Sequence, residues 1–399
     1  MSLLFLGEYF MPNYFDNMKW PLTNNHTLIK LMDAYKTAYW SWHGKYEQKF
    51  LKAFCKYTGS KYGIMTTSCT SGIEISLNAL GIKPGDEVIV PALTWITTAS
   101  VIAHYGAIPV IVDVEPDSLC ISPEAIKRAI SDKTKAIIMV HLYSSICKID
   151  EIMKIAKDNN LFVIEDCAQA HGARYNNKHV GSFGDVGVFS FQQSKLLTAG
   201  EGGICITDNI NLAKRLEKIV HVGDFYEKLD EPVDNDLMCK KYVLSEFQAA
   251  ILYSQLKDLD KQTEMRVKNY NIIKEILSDL PSIKFQKTTE FTTTQSIFIL
   301  PILLDYNFIK DNITKEQIKN DLIANGIPIG DGIGSSIYKH RLWNISPEKY
   351  KLEEINYAND IAENKLLSIF HPLLLMNKRK VVSFAKTIKS VIQKYTVTQ

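Results

Sequence analysis

Between residues 61 and 207, short apolar segments alternate with amphipathic helical stretches, and this alternation constrains the fold more than any other feature of the 399-residue sequence. Several of these segments are continuous runs of Val and Ile, typical of strands buried on both faces of a parallel sheet. The pattern therefore predicts an α/β domain with helices on both faces of a largely parallel sheet. Seven strands are expected, at residues 63–67, 87–90, 109–112, 136–140, 161–165, 186–191 and 203–207.

The pattern changes after residue 243. A long helical stretch over residues 244–280 leads out of the first domain, and a smaller α+β domain is expected beyond Pro281. This second domain contains a helix that begins at a capping box formed by Thr314 and Gln317. The sequence therefore predicts a large domain over residues 1–255 and a small C-terminal domain over residues 256–399. About the first 40 residues are expected either within the large domain or packed on the small one.

Composition and charge exclude several classes of protein. The 46 Lys and Arg residues nearly balance the 44 Asp and Glu residues, and a net charge of +2 provides no basic surface for a nucleic-acid backbone. No apolar run approaches the ~18 residues of a membrane-spanning helix, and no basic residue precedes the short N-terminal apolar run as in a secretory signal. The seven cysteines are scattered, which suits reduced thiols. We expect a cytoplasmic protein with no nucleic-acid or membrane partner.

The first segment with chemical potential is Ser68-Cys69-Thr70, which lies between a predicted strand and a predicted helix over residues 73–80. Free backbone N–H groups at the start of a helix can hold a phosphate, and small hydroxyl residues let the anion approach. Serine and threonine also cap helices that bind nothing. Taken alone, this segment is therefore better interpreted as an ordinary helix cap.

Two further residues stand at the ends of predicted strands. Asp166 comes directly after a buried strand, where open α/β sheets place their ligands, and Gln169 and His171 follow it closely. Taken alone, Asp166 is better interpreted as a cap of the following helix. Trp95 offers a flat face to an aromatic ligand at another strand end, and a core tryptophan is an equally good interpretation.

Lys195 follows a third predicted strand, five residues after Ser190. A lysine amine can form a Schiff base with a carbonyl when burial or a cationic neighbour keeps it deprotonated. Most lysines, by contrast, lie on the surface of the protein. The glycines that follow, Gly200, Gly202 and Gly203, indicate tight backbone turns and no chemistry of their own.

Together, these features have one economical chemical interpretation, because they are the parts needed to hold pyridoxal 5′-phosphate. Asp166 would pair with the protonated pyridine nitrogen and keep the ring an electron sink. Lys195 would bind the cofactor as a Schiff base and later move a proton. Trp95 would stack on the ring, while Ser190 and the backbone of residues 68–70 would hold the phosphate.

The same residues belong to a series of longer motifs. They are Ser68-Cys69-Thr70, Pro91-x-x-Thr94-Trp95, His141-Leu142-Tyr143, Glu165-Asp166-x-Ala168-Gln169-Ala170-His171-Gly172, Ser190-Phe191-x-x-x-Lys195, Gly200-Glu201-Gly202-Gly203 and Ser245-Glu246-Phe247-Gln248-Ala249-Ala250. In order, spacing and strand context, residues 46–256 resemble the DegT/DnrJ/StrS family of sugar aminotransferases. The resemblance implies an aspartate-aminotransferase-like fold (fold type I of the pyridoxal-phosphate enzymes) and the roles given above for Asp166, Lys195 and Ser190. It also implies that Gln169 contacts the ring hydroxyl of the cofactor.

The resemblance further implies a reaction and its partners. The amino donor would be L-glutamate or L-glutamine, and the acceptor a keto or aldehyde group of a sugar, nucleotide-sugar, cyclitol or small polyol phosphate. Residues 93–100, 140–145 and 191–203 are most similar to aminotransferases that act on keto-inositols in aminoglycoside pathways. The implied role is therefore in amino sugar, polysaccharide or aminoglycoside biosynthesis. Acceptor recognition is expected in residues 39–46 and 327–343.

The sequence departs from the family pattern in the segment through which relatives share an active site between the two subunits of a homodimer. Many relatives have Asn-Tyr-Arg before the Ser-Glu-Phe-Gln run, and the Asn reaches the phosphate of the neighbouring subunit's cofactor. Here the segment is Lys241-Tyr242-Val243. We expect Lys241, or its neighbour Lys240, to supply a cation to that phosphate; a solvated pair of lysines is the alternative. Val243 removes a guanidinium that could hold a substrate carboxylate.

Other functions stay open at this point. A sister group of the family removes a hydroxyl and has histidine in place of the lysine, so Lys195 favours transamination over dehydration, while a racemase would use the same lysine. A non-catalytic binding or regulatory protein of the same fold is a further alternative. The spacing of Gly181, Gly184 and Gly187 does not fit a nicotinamide-binding motif. The nine histidines are dispersed, and no metal site is predicted.

Overall fold

The computed structural model describes residues 20–221 and 237–397, and all structural statements below concern these residues. Residues 1–19, which make up much of the N-terminal segment considered above, lie outside the described part. Within the described ranges, no helix is both long enough and apolar enough to cross a membrane.

The chain forms α-helices and β-strands that alternate through its first half and become less regular in the second. The helices are α1 (Asn25–Lys36), α2 (Lys45–Thr58), α3 (Cys69–Ala79), α4 (Ile96–Tyr105), α5 (Pro123–Ala129), α6 (Ile149–Asp158), α7 (Ile210–Val220), α8 (Glu246–Gln255), α9 (Leu259–Leu277), α10 (Lys315–Ala324), α11 (Ala358–Asp360) and α12 (Lys378–Tyr395). The strands are β1 (Tyr62–Thr66), β2 (Glu87–Pro91), β3 (Ile108–Val112), β4 (Thr134–Val140), β5 (Phe162–Asp166), β6 (Arg174–Tyr175), β7 (Lys178–His179), β8 (Val186–Ser190), β9 (Gly203–Thr207), β10 (Ile283–Phe285), β11 (Thr292–Thr294), β12 (Ile299–Leu304), β13 (Ile329–Gly330), β14 (Lys351–Leu352) and β15 (Leu366–Phe370).

Eight strands form the main sheet in the order β1-β9-β8-β5-β4-β2-β3-β14. The strands from β8 to β14 in this order are parallel, whereas β9 runs antiparallel to both of its neighbours. The apolar runs are buried as predicted; Val88, Ile89 and Val90 of β2, for example, are inaccessible to solvent. All seven predicted strands are present, each within two residues of its expected bounds. The prediction of a mostly parallel α/β sheet is confirmed.

A second, antiparallel sheet follows in the C-terminal part, in the order β10-β12-β15-β13. Helices α9 and α12 pack against each other beside it and enclose a second hydrophobic core. The helix α10 begins at the expected capping box, in which Thr314 accepts a hydrogen bond from the backbone N–H of Gln317. This arrangement agrees with the expected smaller α+β part. The division at residue 255 stays a prediction, since β14 also comes from the C-terminal part and joins the main sheet.

The described part of the N-terminal segment contacts both parts of the molecule. Helix α1 packs on α8. Trp20, before α1, lies edge-on to the imidazole of His371, with 4.7 Å between ring centroids. Since His371 directly follows β15 of the second sheet, the segment contacts both α8 and the end of a strand of the smaller sheet.

Gly187 in β8 has no room for a side chain. A Cβ atom there would lie 2.0 Å from the carbonyl oxygen of Gly181, a backbone atom that cannot move without shifting the chain. We expect Gly187→Ala to lower the free energy of unfolding by about 1–3 kcal/mol, in the range of other overpacked cores. Urea denaturation followed by fluorescence measures this change.

Gly330→Ala is the matched control, because the nearest atom to its added Cβ would be 3.9 Å away. Equal unfolding midpoints for the two alanine variants would contradict the steric argument.

Candidate active site

Asp166 is the last residue of β5, and its side chain is buried at the carboxyl end of the main sheet. Its Oδ2 accepts a hydrogen bond from the hydroxyl of Thr98 at 3.0 Å, and its Oδ1 accepts one from the backbone N–H of Ala168 at 3.1 Å. The thiol of Cys69 lies 3.6 Å from Oδ1. A turn, not a helix, follows β5, so the interpretation of Asp166 as a helix cap is wrong. Two of the donors to its carboxylate, Cys69 and Thr98, lie in the first turns of the helices α3 and α4.

Ser68, Cys69 and Thr70 form the N-terminus of α3, as predicted. Ser68 is the N-cap, and its hydroxyl accepts the backbone N–H of Ser71. Gly203 pairs with Ser190 across β9 and β8, and a Cβ at Gly203 would lie 2.5 Å from the carbonyl carbon of Ser68. The absence of a side chain at Gly203 thus brings the start of α3 close to Ser190. The two groups predicted to hold a phosphate are therefore neighbours, and the first N–H groups of a helix are available to an anion.

Lys195 lies in the loop between β8 and β9, with its side chain partly buried. Its Nζ is 4.3 Å from the centroid of the Phe298 ring. Burial lowers the pKa of this amine below its usual value, although the nearby Asp166 and Cys69 oppose the shift. The loop therefore brings Lys195 to the end of the sheet where Asp166 lies. A lowered pKa enlarges the neutral fraction of the amine, which is the form that attacks carbonyl groups and accepts protons.

The loop that carries Lys195 is fixed by three parts of the chain that are distant in sequence. Its backbone carbonyl groups accept hydrogen bonds from Trp20 Nε1 (3.1 Å, to Gln193), His371 Nε2 (2.9 Å, to Ser194) and Gln255 Nε2 (2.8 Å, to Thr198). Burial keeps the pKa of His371 well below its usual value. The neutral ring can therefore donate through Nε2. The position of the amine consequently depends on the N-terminal segment, on α8 and on the second sheet.

Trp95 and Gln169 border the same region. Trp95 is the N-cap of α4, three residues before Thr98, and its side chain is 52% exposed. The Oε1 of Gln169 accepts the backbone N–H of Tyr143 at 2.9 Å. The hydroxyl of Tyr143 in turn accepts the backbone N–H of Ile333 at 2.8 Å. A small pocket beside Trp95 is lined by residues 333–340, so one of the two segments expected to recognise the acceptor lies next to the predicted ring-stacking residue.

The other expected recognition segment, residues 39–46, lies elsewhere in the described chain. The carbonyl of Trp40 accepts the backbone N–H of Glu246, the first residue of α8. The indole of Trp42 stacks on His221 at the end of α7, with centroids 4.3 Å apart. In the described residues this segment therefore packs on α7 and α8, and the pocket at Trp95 is lined by other residues.

Lys240 and Lys241 differ in their surroundings. The ammonium of Lys240 lies 3.3 Å from the carboxylate of Glu74 on α3, and the hydroxyl of Tyr242 donates to the same carboxylate at 2.8 Å. Lys241, between them, is exposed, and its backbone forms a bridge with His221. Among the described residues, Glu74 thus holds the two neighbours of Lys241 within their own chain.

Three residues of the site were not identified from the sequence. Thr98 lies three residues after Trp95, and its place in the first turn of a helix after a strand end is a signal that could have identified it. Phe298 and His371 lie in the C-terminal part, more than 100 positions from Lys195. Their contact with the Lys195 loop arises only from the packing of the second sheet against the main sheet.

Pyridoxal phosphate fits the residues present. A buried carboxylate at a strand end, an amine of lowered pKa, a helix N-terminus beside a serine hydroxyl and a half-exposed indole are the groups that this cofactor requires. Fold and site together define a fold type I enzyme that depends on pyridoxal phosphate.

A sequence model of the DegT/DnrJ/EryC1/StrS aminotransferase family matches residues 23–383. The chain therefore belongs to this family. Among similar proteins is an L-glutamine:2-deoxy-scyllo-inosose aminotransferase of Micromonospora echinospora, 41% identical over 290 residues that cover 68% of this chain and 69% of the relative. A protein of the same name from Streptomyces fradiae is 36% identical over 94% of both chains. The solved structure of an aminotransferase from Psychrobacter cryohalolentis has a TM-score of 0.86 at 27% identity, covering 94% of this chain and 99% of that one.

These comparisons confirm three predictions made from the sequence: the family, the fold type I architecture and pyridoxal phosphate as cofactor. The chain is accordingly an aminotransferase, and the alternative of a non-catalytic binding protein is not supported. The roles of individual side chains are still predictions.

Asp166→Asn keeps the shape of the side chain and removes its negative charge. We expect kcat to fall about 10²- to 10³-fold, as when one preorganised electrostatic group is lost, with the cofactor partly retained by the phosphate-binding residues. Steady-state kinetics at saturating cofactor, with absorbance as the measure of loading, test this.

The control is Asp158→Asn, which changes an exposed carboxylate paired with Lys154 on α6. A near-normal kcat for Asp166→Asn would remove Asp166 from the mechanism.

Proposed function

We propose that the protein transfers the amino group of L-glutamine to the ketone of a cyclitol of the 2-deoxy-scyllo-inosose type, in an aminoglycoside or other amino sugar pathway. The observation that carries the proposal is Lys195, an amine of lowered pKa near the Asp166 carboxylate. It occurs in a chain 36% identical to a relative named for this reaction, and the alignment covers 94% of both chains. The alignment thus extends over the lysine loop and over the loop beside Trp95.

The ring of pyridoxal phosphate, when bound, acts as an electron sink that allows an amino group to leave one substrate and enter another. In the proposed arrangement Asp166 holds the pyridine nitrogen in its protonated form. Thr98 and Cys69 keep that carboxylate from rotating, because they contact its two different oxygens. Trp95 would stack on the ring. Since the Oε1 of Gln169 is held by a backbone N–H, its amide nitrogen would be the group that contacts the ring hydroxyl.

The phosphate is proposed to lie between the N-terminus of α3 and the hydroxyl of Ser190. Residues 68–70 offer backbone N–H groups at the positive end of the helix dipole. The hydroxyl of Thr70 bonds to that of Thr97 at 2.8 Å, which links this turn to the first turn of α4. The phosphate-binding residues and the residues that hold Asp166 therefore form one connected network.

Lys195 has two proposed tasks: its amine would hold the cofactor covalently, and the same amine would move a proton at the amino-bearing carbon of the substrate. Both tasks require a neutral amine. Burial favours this form by lowering the pKa, and the Phe298 ring beside Nζ limits access of water. The nearby Asp166 works in the opposite direction and keeps the pKa from falling further.

A cytoplasmic location is proposed from the state of the cysteines. All seven are free thiols, and five of them are buried. A protein that leaves so many thiols unpaired suits a reducing compartment, where disulfides do not form. Fractionation of the producing cell, with an immunoblot against this chain, tests the location.

The donor and acceptor are tested in separate half-reactions. We expect L-glutamine to convert the loaded wild-type enzyme to its amino form, seen as loss of the visible absorbance band, and 2-deoxy-scyllo-inosose to restore the band while an aminocyclitol appears by mass spectrometry. Lys195→Ala should show neither change, because no other amine replaces its proton transfer.

The matched control is Lys214→Ala, which removes an exposed lysine of α7 and should behave as wild type. Amino transfer from L-glutamine to nucleotide-sugar ketones alone would overturn the proposed acceptor, and borohydride labelling of a lysine other than Lys195 would overturn its role.

A homodimer with a shared active site is the second part of the proposal. Lys241 is exposed and lies between two residues that Glu74 holds, so its side chain is the one directed away from its own chain. We propose that its ammonium contacts the phosphate at the site of the neighbouring subunit, in place of the asparagine common in relatives. A cation is well suited to this contact because charge-assisted hydrogen bonds to phosphate are stronger than neutral ones.

Subunit complementation tests the shared site. Lys241→Ala should weaken cofactor binding about 10- to 100-fold, the loss expected for one hydrogen bond to a charged group. A heterodimer of one Lys241→Ala chain and one Lys195→Ala chain, purified through two different tags, should regain about half of the wild-type activity at limiting cofactor, because one of its two sites is then intact.

The control uses Lys240→Ala in place of Lys241→Ala, because the ammonium of Lys240 is paired with Glu74 in its own chain. A Lys241→Ala homodimer with unchanged cofactor affinity, or a protein that sediments as a monomer, would overturn this part of the proposal.

A further inference from the structure

Three side chains with metal-binding atoms meet at the C-terminal end of α7. Glu217 lies in the last turn of α7, His221 is its C-cap, and His43 lies in the turn between α1 and α2. The Nε2 of His43 is 3.2 Å from the Oε1 of Glu217, and the Nδ1 of His221 is 3.4 Å from the same oxygen. All three ligand atoms lie within 4.8 Å of one another. Two imidazoles and one carboxylate are a ligand set that Zn²⁺ commonly takes.

The distances fit a tetrahedral ion. With metal–ligand bonds of about 2.0–2.1 Å, neighbouring ligand atoms of a tetrahedron are about 3.4 Å apart. Two of the three edges already have this length. The third can shorten through rotation of His43, because its side chain is 45% exposed. The 39% exposed side chain of Glu217 leaves a path from solvent and room for a water molecule as fourth ligand.

The ligand atoms are not taken up by other strong partners in the described residues. His221 is buried, and its Nδ1, directed at Glu217, has no hydrogen-bond partner there. An unpartnered buried nitrogen of this kind requires a physical explanation.

A second group of potential metal ligands differs from the α7 group in its hydrogen bonding. His141, Glu165 and Cys167 are also close together, and all three are buried. Both oxygens of Glu165, however, accept backbone N–H groups from Gly181, Phe183 and Gly184. The Nδ1 of His141 accepts the N–H of Cys147, and its Nε2 lies against Glu165. That group is a saturated hydrogen-bond network, whereas the group at α7 is not.

The surroundings of the α7 group hold its ligands in place. The indole of Trp42 stacks on the ring of His221, with centroids 4.3 Å apart and planes 20° apart, and meets the ring of His43 edge-on at 4.3 Å. The backbone N–H of His43 donates to the carboxylate of Glu47, which fixes the turn. The end of α7 also carries the negative pole of the helix dipole, which favours a cation.

We propose that His43, Glu217 and His221 bind one Zn²⁺ ion per chain, with a fourth position open to solvent. The inference is independent of the proposed function and differs from the expectation of no metal site. No local spacing in the chain indicates this site, because His43 is 174 positions from Glu217. The ion would join the turn before α2 to the end of α7. Since His221 forms a backbone bridge with Lys241, it would also fix the start of the segment that carries Lys241.

Calorimetric titration of the cofactor-loaded, EDTA-treated enzyme with Zn²⁺ tests the proposal. We expect one site per chain and a rise in the thermal midpoint with Zn²⁺. His43→Ala and Glu217→Gln should each weaken binding more than about 100-fold, because even residues that only orient a ligand contribute about 10- to 100-fold. Added Co²⁺ should give the intense visible bands of a four-coordinate ion in wild type alone.

The matched control is His104→Ala, which removes an exposed histidine of α4 far from this group in sequence and should bind Zn²⁺ as wild type does. Glu217→Gln keeps the size of the side chain, so its cofactor content and metal-free thermal midpoint report whether the fold is intact. Absence of Zn²⁺ binding by wild type, or equal binding by wild type and the folded Glu217→Gln and His43→Ala variants, would overturn the proposal.

Discussion

The site depends on one constraint, a carboxylate held at the buried end of a central strand. Asp166 is 4% exposed, and burying a carboxylate costs several kcal/mol unless donors or a positive charge compensate. Thr98, Cys69 and Ala168 provide the donors. Two of them come from helices that follow other strands, and α3 reaches Asp166 because it packs across β5, β8 and β9. The carboxylate is thus compensated only when the whole sheet order is in place.

The second requirement is an amine whose charge state is set by two opposing effects. Burial alone would drive the pKa of Lys195 down, and the nearby Asp166 and Cys69 restrain the fall. If the carboxylate were absent, the buried amine would be neutral but would lack an electrostatic partner. If the amine were not buried, the carboxylate would keep it charged. The loop must therefore hold Lys195 within a narrow region. The three hydrogen bonds to its backbone, from Trp20, His371 and Gln255, supply that restraint.

The sequence predicts the parts of this molecule that rest on local patterns. Apolar runs of Val and Ile identified the strands, and the rule that ligands bind at the carboxyl ends of parallel strands drew attention to Asp166. Lys195 was selected because it directly follows a strand and its amine can form a Schiff base. Contacts between distant segments left no such pattern. Phe298 is an apolar residue in an apolar strand region, and nothing local distinguishes it from a core phenylalanine. The pairing of His43 with Glu217 depends on how α1 and α2 pack relative to α7, which no spacing in the chain records.

Helix α3 shows how the cofactor site and the proposed subunit contact are physically joined. Its N-terminus carries residues 68–70, which are proposed to bind the phosphate. Glu74, on the same helix, holds Lys240 and Tyr242 on either side of Lys241. Helix α7 packs on α3 and ends at His221, whose backbone pairs with Lys241. A single helix therefore connects the proposed phosphate site of its own chain with the lysine that is proposed to contact another chain. A displacement of α3 would change both at once, because a packed helix moves as one body.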